Sequence, residues 1–181
     1  MNKIIIVDTM VWTFLYDKNR YFDDAEEVVV KFLNQGFKLA INSVIEHEFL
    51  RGRIERYKNY FKQVANLVNK IEVNNNTFME AVDIFRVQQM MYDKFEKNPG
   101  KHLGDILIAA TAFLERCYIL TANLKDFSTP LFIIRSSEVL MKKGKGEFKN
   151  SLSKIETIYL LEPNYEFVER VLPRLTKTSG D

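Results

Sequence analysis

The stretch Ile4-Ile5-Ile6-Val7-Asp8-Thr9 is a short apolar run that stops at an acid and a hydroxyl residue. A run of this length, rich in β-branched residues, is typical of a strand buried on both faces of a parallel sheet. We therefore expect a first strand over residues 3–7. Asp8 and Thr9 are both good helix caps, so a helix from Met10 to Tyr16 should follow. The chain begins as a strand–helix unit.

The same alternation continues along the chain. Amphipathic spacing and turn residues predict further helices at Ala25–Leu33, 43–51, 54–70, 77–96, 104–116 and Tyr165–Leu172, the last ending at Pro173. Short apolar runs predict further strands at Phe37–Ile41, Tyr118–Thr121, Leu131–Ile134 and Thr157–Leu161. This order predicts a three-layer α/β fold, with a central parallel sheet of about five strands flanked by helices.

Two helix starts have a chemical signature. Ser43-Val44-Ile45-Glu46 fits a capping box, in which the hydroxyl and the acid satisfy each other's backbone N–H groups. Asp105, directly after Gly104, is a good N-cap for the helix that precedes the third strand.

Length and composition indicate one globular domain. The 181 residues suffice for one buried core, and 46% hydrophobic with 28% charged residues is ordinary for a soluble protein. We expect a single domain over residues 1–181, with an insertion at 135–156, either a loop or a short helix, and a frayed tail at 173–181. With one cysteine, Cys117, no export signal and no long apolar stretch, a cytoplasmic protein without membrane association is expected.

Several polar residues are predicted to meet at one end of the sheet. Ligands of open α/β sheets bind at the carboxyl ends of the strands. The candidates follow strands, or lie on helices beside those strand ends: Asp8, Glu48, Asp105, Thr121, Asn123 and Asp126. Clustered carboxylates raise one another's pKa unless a cation neutralises them. Mg²⁺ bound in this way activates water against phosphodiesters, which suits a chain with only two histidines and one cysteine.

Four segments, in this order, resemble those of PIN domains, and particularly of VapC-type toxin ribonucleases. They are Ile5–Thr9, Glu48–Gly52, Asp105–Ala112 and Leu120–Phe127, and the resemblance covers roughly residues 3–134. It implies a PIN-like fold and a metal-dependent endoribonuclease, with RNA as substrate, Mg²⁺ or Mn²⁺ as cofactor, an antitoxin partner and a homodimer.

The resemblance also implies roles for the candidate residues. Asp8, Glu48 and Asp105 match the family's metal-binding acids, while Thr121, Asn123 and Asp126 match the remaining polar positions. Many PIN domains place a fourth acid where this chain has Asn123. With one charge fewer, we expect one tightly bound metal ion rather than two.

Each candidate residue also has a purely structural interpretation. Asp8 and Asp105 can act only as caps, Glu48 can be a solvated helix acid, and Thr121 and Asp126 can merely hold a turn. We interpret His47 and His102 as surface or interface residues, because neither has another histidine or a cysteine at metal-ligand spacing.

Two basic patches are candidates for RNA contacts, although each can also be a solvated surface. The first comprises Arg51, Arg53, Arg56, Lys58 and Lys62, interleaved with Tyr57, Tyr60 and Phe61, whose rings can stack on unpaired bases. The second comprises Lys142, Lys143, Lys145 and Lys149. A third surface candidate, the stripe Phe78, Val82, Phe85, Gln89 and Tyr92, is interpreted as core or dimer surface.

Two other functions remain open. A degenerate PIN domain would bind RNA or protein without cutting it, because a fold does not fix a function. A haloacid-dehalogenase-like phosphatase would also place Asp8 after the first strand. It needs a second acid two residues further on, however, and that position is Met10. Glycine-rich nucleotide-binding loops are absent from the sequence.

Overall fold

The fold is built on a central sheet. This computed structural model describes residues 2–16, 21–51, 55–91, 102–127, 130–140 and 155–177. Within these ranges the side chains of residues 56, 57 and 174–177 are not described. The strands of the sheet among these residues are β1 (Ile4–Val7), β2 (Lys38–Asn42), β3 (Asn69–Ile71), β4 (Tyr118–Thr121), β5 (Phe132–Leu140) and β6 (Glu156–Pro163). Their order is β3-β2-β1-β4-β6-β5. The neighbours among β3, β2, β1 and β4 are parallel, whereas β6 is antiparallel to both β4 and β5.

Helices flank this sheet. They are α1 (Thr9–Phe14), α2 (Phe22–Asn34), α3 (Ser43–Leu50), α4 (Glu55–Ala65), α5 (Asn75–Met91), α6 (Leu103–Glu115) and α7 (Tyr165–Lys177). None of these described helices is long and apolar enough to cross a membrane. The predicted α/β architecture is confirmed, with one difference. The sheet is mixed rather than wholly parallel, because β6 is reversed.

The core explains why β1 and α6 are apolar throughout. Residues Ile5, Ile6 and Val7 of β1 are completely buried, since β1 lies between β2 and β4 and is covered on both faces. In α6, the whole segment from Ile106 to Phe113 is buried, with contacts to both α5 and α3. These two apolar elements fix the strand end and the helix start that carry Asp8 and Asp105.

Two strand predictions need correction. The helix predicted over 54–70 ends at Ala65, and Asn69–Ile71 forms the edge strand β3 beside β2. This edge strand is short and mostly exposed, so its sequence lacks the apolar run of a buried strand. Strand β5 extends to Leu140, so residues 136–140 of the predicted insertion pair with β6. Residues 141–154 lie outside the described residues.

Three predicted helix ends also differ. Asn42, rather than Ser43, caps α3, and its side chain accepts a hydrogen bond from the backbone N of Ile45 at 3.0 Å. The N-cap position of α6 is His102, which places Asp105 inside the first turn. Helix α7 continues through Pro173 instead of ending there.

Candidate metal site

Asp8 lies at the carboxyl end of β1 and is only 4% exposed. It occupies the N-cap position of α1, yet its side chain makes no capping hydrogen bond. Instead, Asp8 Oδ2 accepts a hydrogen bond of 2.6 Å from Thr121 Oγ1 at the end of β4. Burial raises the pKa of Asp8 to about 6; the Thr121 bond opposes this, and Glu48 and Asp126 add to it. The Asp8 carboxylate is therefore buried beside other acids and does not cap helix α1.

Glu48 reaches the same place from α3. Its Oε2 accepts a hydrogen bond of 2.8 Å from Thr9 Oγ1, directly after Asp8. On its other side is Gly104, the second residue of α6, where an added Cβ would lie 2.1 Å from Glu48 Oε1. The missing side chain lets the start of α6 approach Glu48 closely. The starts of α1 and α6 and the last turn of α3 thus contribute to one cluster.

Asp105 is the third acid of the cluster. Burial is the largest cause that raises its pKa, to about 8, followed by the charges of Asp126, Asp8 and Glu48. Four carboxylates that are distant in sequence therefore interact at the carboxyl end of the parallel strands, as predicted. Such mutual repulsion is relieved by a proton or by a cation.

The turn after β4 positions the fourth acid, Asp126. The backbone N of Asn123 donates to Thr121 Oγ1 at 2.9 Å, and Asn123 Nδ2 donates to Asp126 Oδ2 at 2.5 Å. The backbone carbonyl of Asp126 accepts a weak bond of 3.5 Å from Gln88 Nε2 on α5. The Asn123 amide therefore holds Asp126 in place through a hydrogen bond.

His102 belongs to this site, which the sequence interpretation missed. Its Nδ1 lies 3.1 Å from Asp126 Oδ1, and its side chain is 15% exposed. One ligand atom each from His102, Asp105 and Asp126 lies within 4.8 Å of the others. The available signal was spacing, because residues three apart at a helix start share a face. Interpreting Asp105 as the cap concealed that relation.

The donor set suits a divalent cation. Carboxylate oxygens are the preferred protein ligands of Mg²⁺ and Mn²⁺, and an imidazole nitrogen adds affinity for first-row transition metals. Burial, and then the neighbouring carboxylates, raise the pKa of Asp8 and of Asp105, so a cation here relieves repulsion.

The first basic patch does not have the predicted aromatic face. Phe61 is 1% exposed and stacks on Phe49 with ring centroids 4.8 Å apart, and Tyr60 donates its hydroxyl to the carbonyl of Leu15. These two rings therefore belong to the packing of α4 and are not available to stack on bases. The side chain of Tyr57 is not described.

The basic residues themselves are only partly described. Arg51 is exposed at the end of α3, and Lys58 Nζ lies 3.6 Å from Glu55 Oε2. Arg53, the side chain of Arg56 and the second patch, 141–149, lie outside the described part of the chain. Their RNA contacts stay predictions.

The stripe on α5 lies mostly at the surface. Phe78 is 50% and Val82 44% exposed, Gln89 is half-buried, and Tyr92 lies outside the described residues. Phe85 is half-buried and packs against the core. The core interpretation is therefore wrong for Phe78 and Val82, and the dimer surface stays a prediction.

The fold is similar to that of solved toxin–antitoxin complexes. VapBC2 from Rickettsia felis, bound to a DNA fragment from its promoter, matches with a TM-score of 0.52 and 18% identity, over 68% of this chain and 90% of that chain. A toxin–antitoxin complex from Klebsiella pneumoniae matches with a TM-score of 0.49 and 19% identity, over 70% and 92%. No protein-family model and no curated protein sequence matches the chain. The first of these likenesses confirms the PIN-like fold that the sequence motifs predicted.

Proposed function

We propose that this chain is a metal-dependent endoribonuclease and the toxin of a toxin–antitoxin pair. The observation that carries the proposal is the convergence of Asp8, Glu48, Asp105 and Asp126 at the carboxyl end of the parallel strands, where burial, and then the neighbouring charges, raise the pKa of Asp8 and Asp105. The toxin role is supported more coarsely, by a fold shared with a VapBC complex. An antitoxin is the partner that this role requires.

The residues around the acids have distinct tasks in this proposal. Asp8, Glu48 and Asp105 hold one Mg²⁺ or Mn²⁺ ion, which polarises the scissile phosphate and lowers the pKa of a water molecule. Thr121 fixes the Asp8 carboxylate, and Asn123 fixes Asp126. The neutral Asn123 leaves too little negative charge for a second tightly bound ion. We propose further that Arg51, Arg53, Arg56 and Lys58 attract the RNA backbone.

The test compares RNA cleavage by the wild type, Asp8→Asn and Asp105→Asn, with Mg²⁺ or Mn²⁺ and a structured RNA pool. Glu115→Gln is the matched control, because Glu115 is the exposed last residue of α6, about 15 Å along the helix from Asp105. We expect metal-dependent cleavage by the wild type and the control, and none by the two Asp variants. Cleavage that both Asp variants retain would contradict the proposal.

A degenerate domain that binds RNA or protein without cutting it is the second candidate. Asn123 at the fourth acid position is the observation that favours it. Failure of the wild type both to cleave RNA and to bind Mn²⁺ would support this alternative. The phosphatase alternative is weaker, since Met10 in the first turn of α1 provides no acid/base group.

A further inference from the structure

We propose that His102 is a direct nitrogen ligand of the metal ion, and that the site therefore binds Mn²⁺ and related transition ions in preference to Mg²⁺. The inference rests on the metal site of the proposed function. It adds a ligand and a metal preference that the acids alone do not provide.

The positions of the donor atoms fit a shared ion. His102 Nδ1 and Asp126 Oδ1 are 3.1 Å apart. Two adjacent ligands of an octahedral ion, each bound at ~2.1 Å, lie ~3 Å apart. Asp105 supplies a third atom within 4.8 Å of both, so small side-chain rotations bring all three into one coordination sphere.

The Asn123 amide selects which Asp126 oxygen meets the ion. Asn123 Nδ2 donates to Oδ2 of Asp126, while Oδ1 faces His102 Nδ1. An ion bound to Oδ1 must therefore lie next to the imidazole. Asn123 thus orients Asp126, and an imidazole nitrogen lies beside the oxygen that would bind the ion.

Helix capping does not account for His102. It occupies the N-cap position of α6 with φ −107° and ψ 7°, yet its side chain makes no capping hydrogen bond. Asn42, at the N-cap of α3, does make one. The ring of His102 is instead directed to Asp126, three-quarters of a helical turn from Asp105 along the same face.

A nitrogen ligand changes the metal preference. Mg²⁺ is a hard cation that takes oxygen ligands and keeps several waters. Imidazole suits transition ions, whose affinities for mixed nitrogen and oxygen sites rise from Mn²⁺ towards Cu²⁺. One histidine among carboxylates should therefore strengthen Mn²⁺ binding far more than Mg²⁺ binding.

The test measures Mn²⁺ bound to the full chain without RNA. Pulsed electron paramagnetic resonance detects the ¹⁴N nucleus of a coordinated imidazole, which a hydrogen bond from His102 to Asp126 alone would not produce. We expect this coupling in the wild type and in His47→Gln, which removes the chain's other histidine, an exposed residue. It should disappear in His102→Gln and in His102→Asn, the latter being a favourable cap that protects the start of α6.

Affinities provide the second measurement. The two His102 variants should bind Mn²⁺ about tenfold or more weakly, whereas their Mg²⁺ affinity, from competition, should change by less than about threefold. Mn²⁺ binding that depends on Asp105 but shows no nitrogen coupling in the wild type would overturn the inference and leave the metal site standing. Absence of Asp105-dependent Mn²⁺ binding would overturn the metal site and the inference together.

Discussion

At the scale of single residues, Asp105 makes folding depend on pH. Its pKa is about 8 in the folded chain, against 3.8 for an ordinary Asp. The folded chain therefore keeps a proton that the unfolded chain releases, and the free energy of unfolding falls as pH rises between these values. Below pH 3.8, Asp105 is protonated in both the folded and the unfolded chain, and its stabilising contribution to the free energy of unfolding is fully present.

The variant Asp105→Asn should remove this dependence. In metal-free buffer we expect it to melt at a higher temperature than the wild type at pH 8, with the difference shrinking towards pH 4. Thermal unfolding with a chelator present measures this. Added Mn²⁺ should stabilise the wild type more than the variant, because only the wild type offers the carboxylate. Equal melting temperatures at pH 8 would show that Asp105 carries no repulsion.

Thr121 is the second residue at which a substitution should change the free energy of unfolding. Its buried hydroxyl donates to Asp8 Oδ2 and accepts from the backbone N of Asn123. Thr121→Val keeps the shape but leaves both partners unsatisfied, which should lower the free energy of unfolding by about 1–3 kcal/mol. Urea denaturation measures this, with Thr121→Ser as the control that keeps the hydroxyl. A valine variant as stable as the serine variant would refute the role.

The residues of the site differed in how far the sequence could predict them. Asp8 could be placed because it directly follows the apolar run of the first strand and must therefore lie at the carboxyl end of that strand. His102 could not, since its relation to Asp105 depends on the residue at which α6 begins. The bond from Asn123 to Asp126 depends on side-chain rotamers, which residue type and spacing do not determine.

At the scale of elements, the start of α6 is built around a missing side chain. Gly104→Ala would favour the helix by about 0.5–1 kcal/mol, but the new methyl group displaces Glu48 Oε1. The carboxyl group then moves, and Oε2 loses the hydrogen bond that Thr9 donates to it. The free energy of unfolding should therefore change by less than about 1 kcal/mol. Mn²⁺ affinity should nevertheless fall by about tenfold, because Glu48 leaves the site.

A double-mutant cycle isolates this contact. In a Glu48→Ala background there is no carboxyl group to displace, so Gly104→Ala should stabilise the helix and cause no further loss of Mn²⁺ affinity. Calorimetric titration of both backgrounds measures the coupling. Equal losses of affinity in the two backgrounds would mean that Gly104 acts on the site by another route.

The sequence predicted those strands whose burial produces a recognisable apolar pattern. Strands β1 and β4 were found almost to the residue, because buried parallel strands are continuous apolar runs. Strand β3 is an exposed edge and has no such run. The cap of α3 was assigned one residue too late, because Asn42 and Ser43 are both good caps and only the backbone decides between them.

At the scale of the whole molecule, the parallel direction of β1, β2 and β4 follows from the alternation of strands and helices, but the reversal of β6 does not. Parallel neighbours need a long crossover, usually a helix, whereas antiparallel neighbours do not. The segment between β5 and β6 was predicted as an inserted loop or a short helix, so the prediction did not decide the direction of β6.

The last prediction concerns assembly. The α5 surface, formed by Phe78, Met79, Val82 and Met90, is 44–68% exposed, and clustered exposed apolar residues mark interaction surfaces. We expect the chain to form a homodimer through this surface. Sedimentation should give about twice the 21.3 kDa chain mass for the wild type and one chain mass for the double variant Phe78→Lys, Val82→Lys. These side chains are exposed, so folding stability should change by only about 0.5 kcal/mol per substitution.

Val139→Lys is the matched control, because Val139 is 58% exposed on β5, outside the α5 surface. It should leave the dimer intact, since an added charge disrupts only an interface that buries it. A monomeric wild type would refute the dimer. A dimer that persists in the α5 double variant would place the contact elsewhere, and dissociation by Val139→Lys alone would point to β5. Because the proposed metal ligands all belong to one chain and lie at the carboxyl ends of the parallel strands, the monomeric variant should keep its Mn²⁺ affinity.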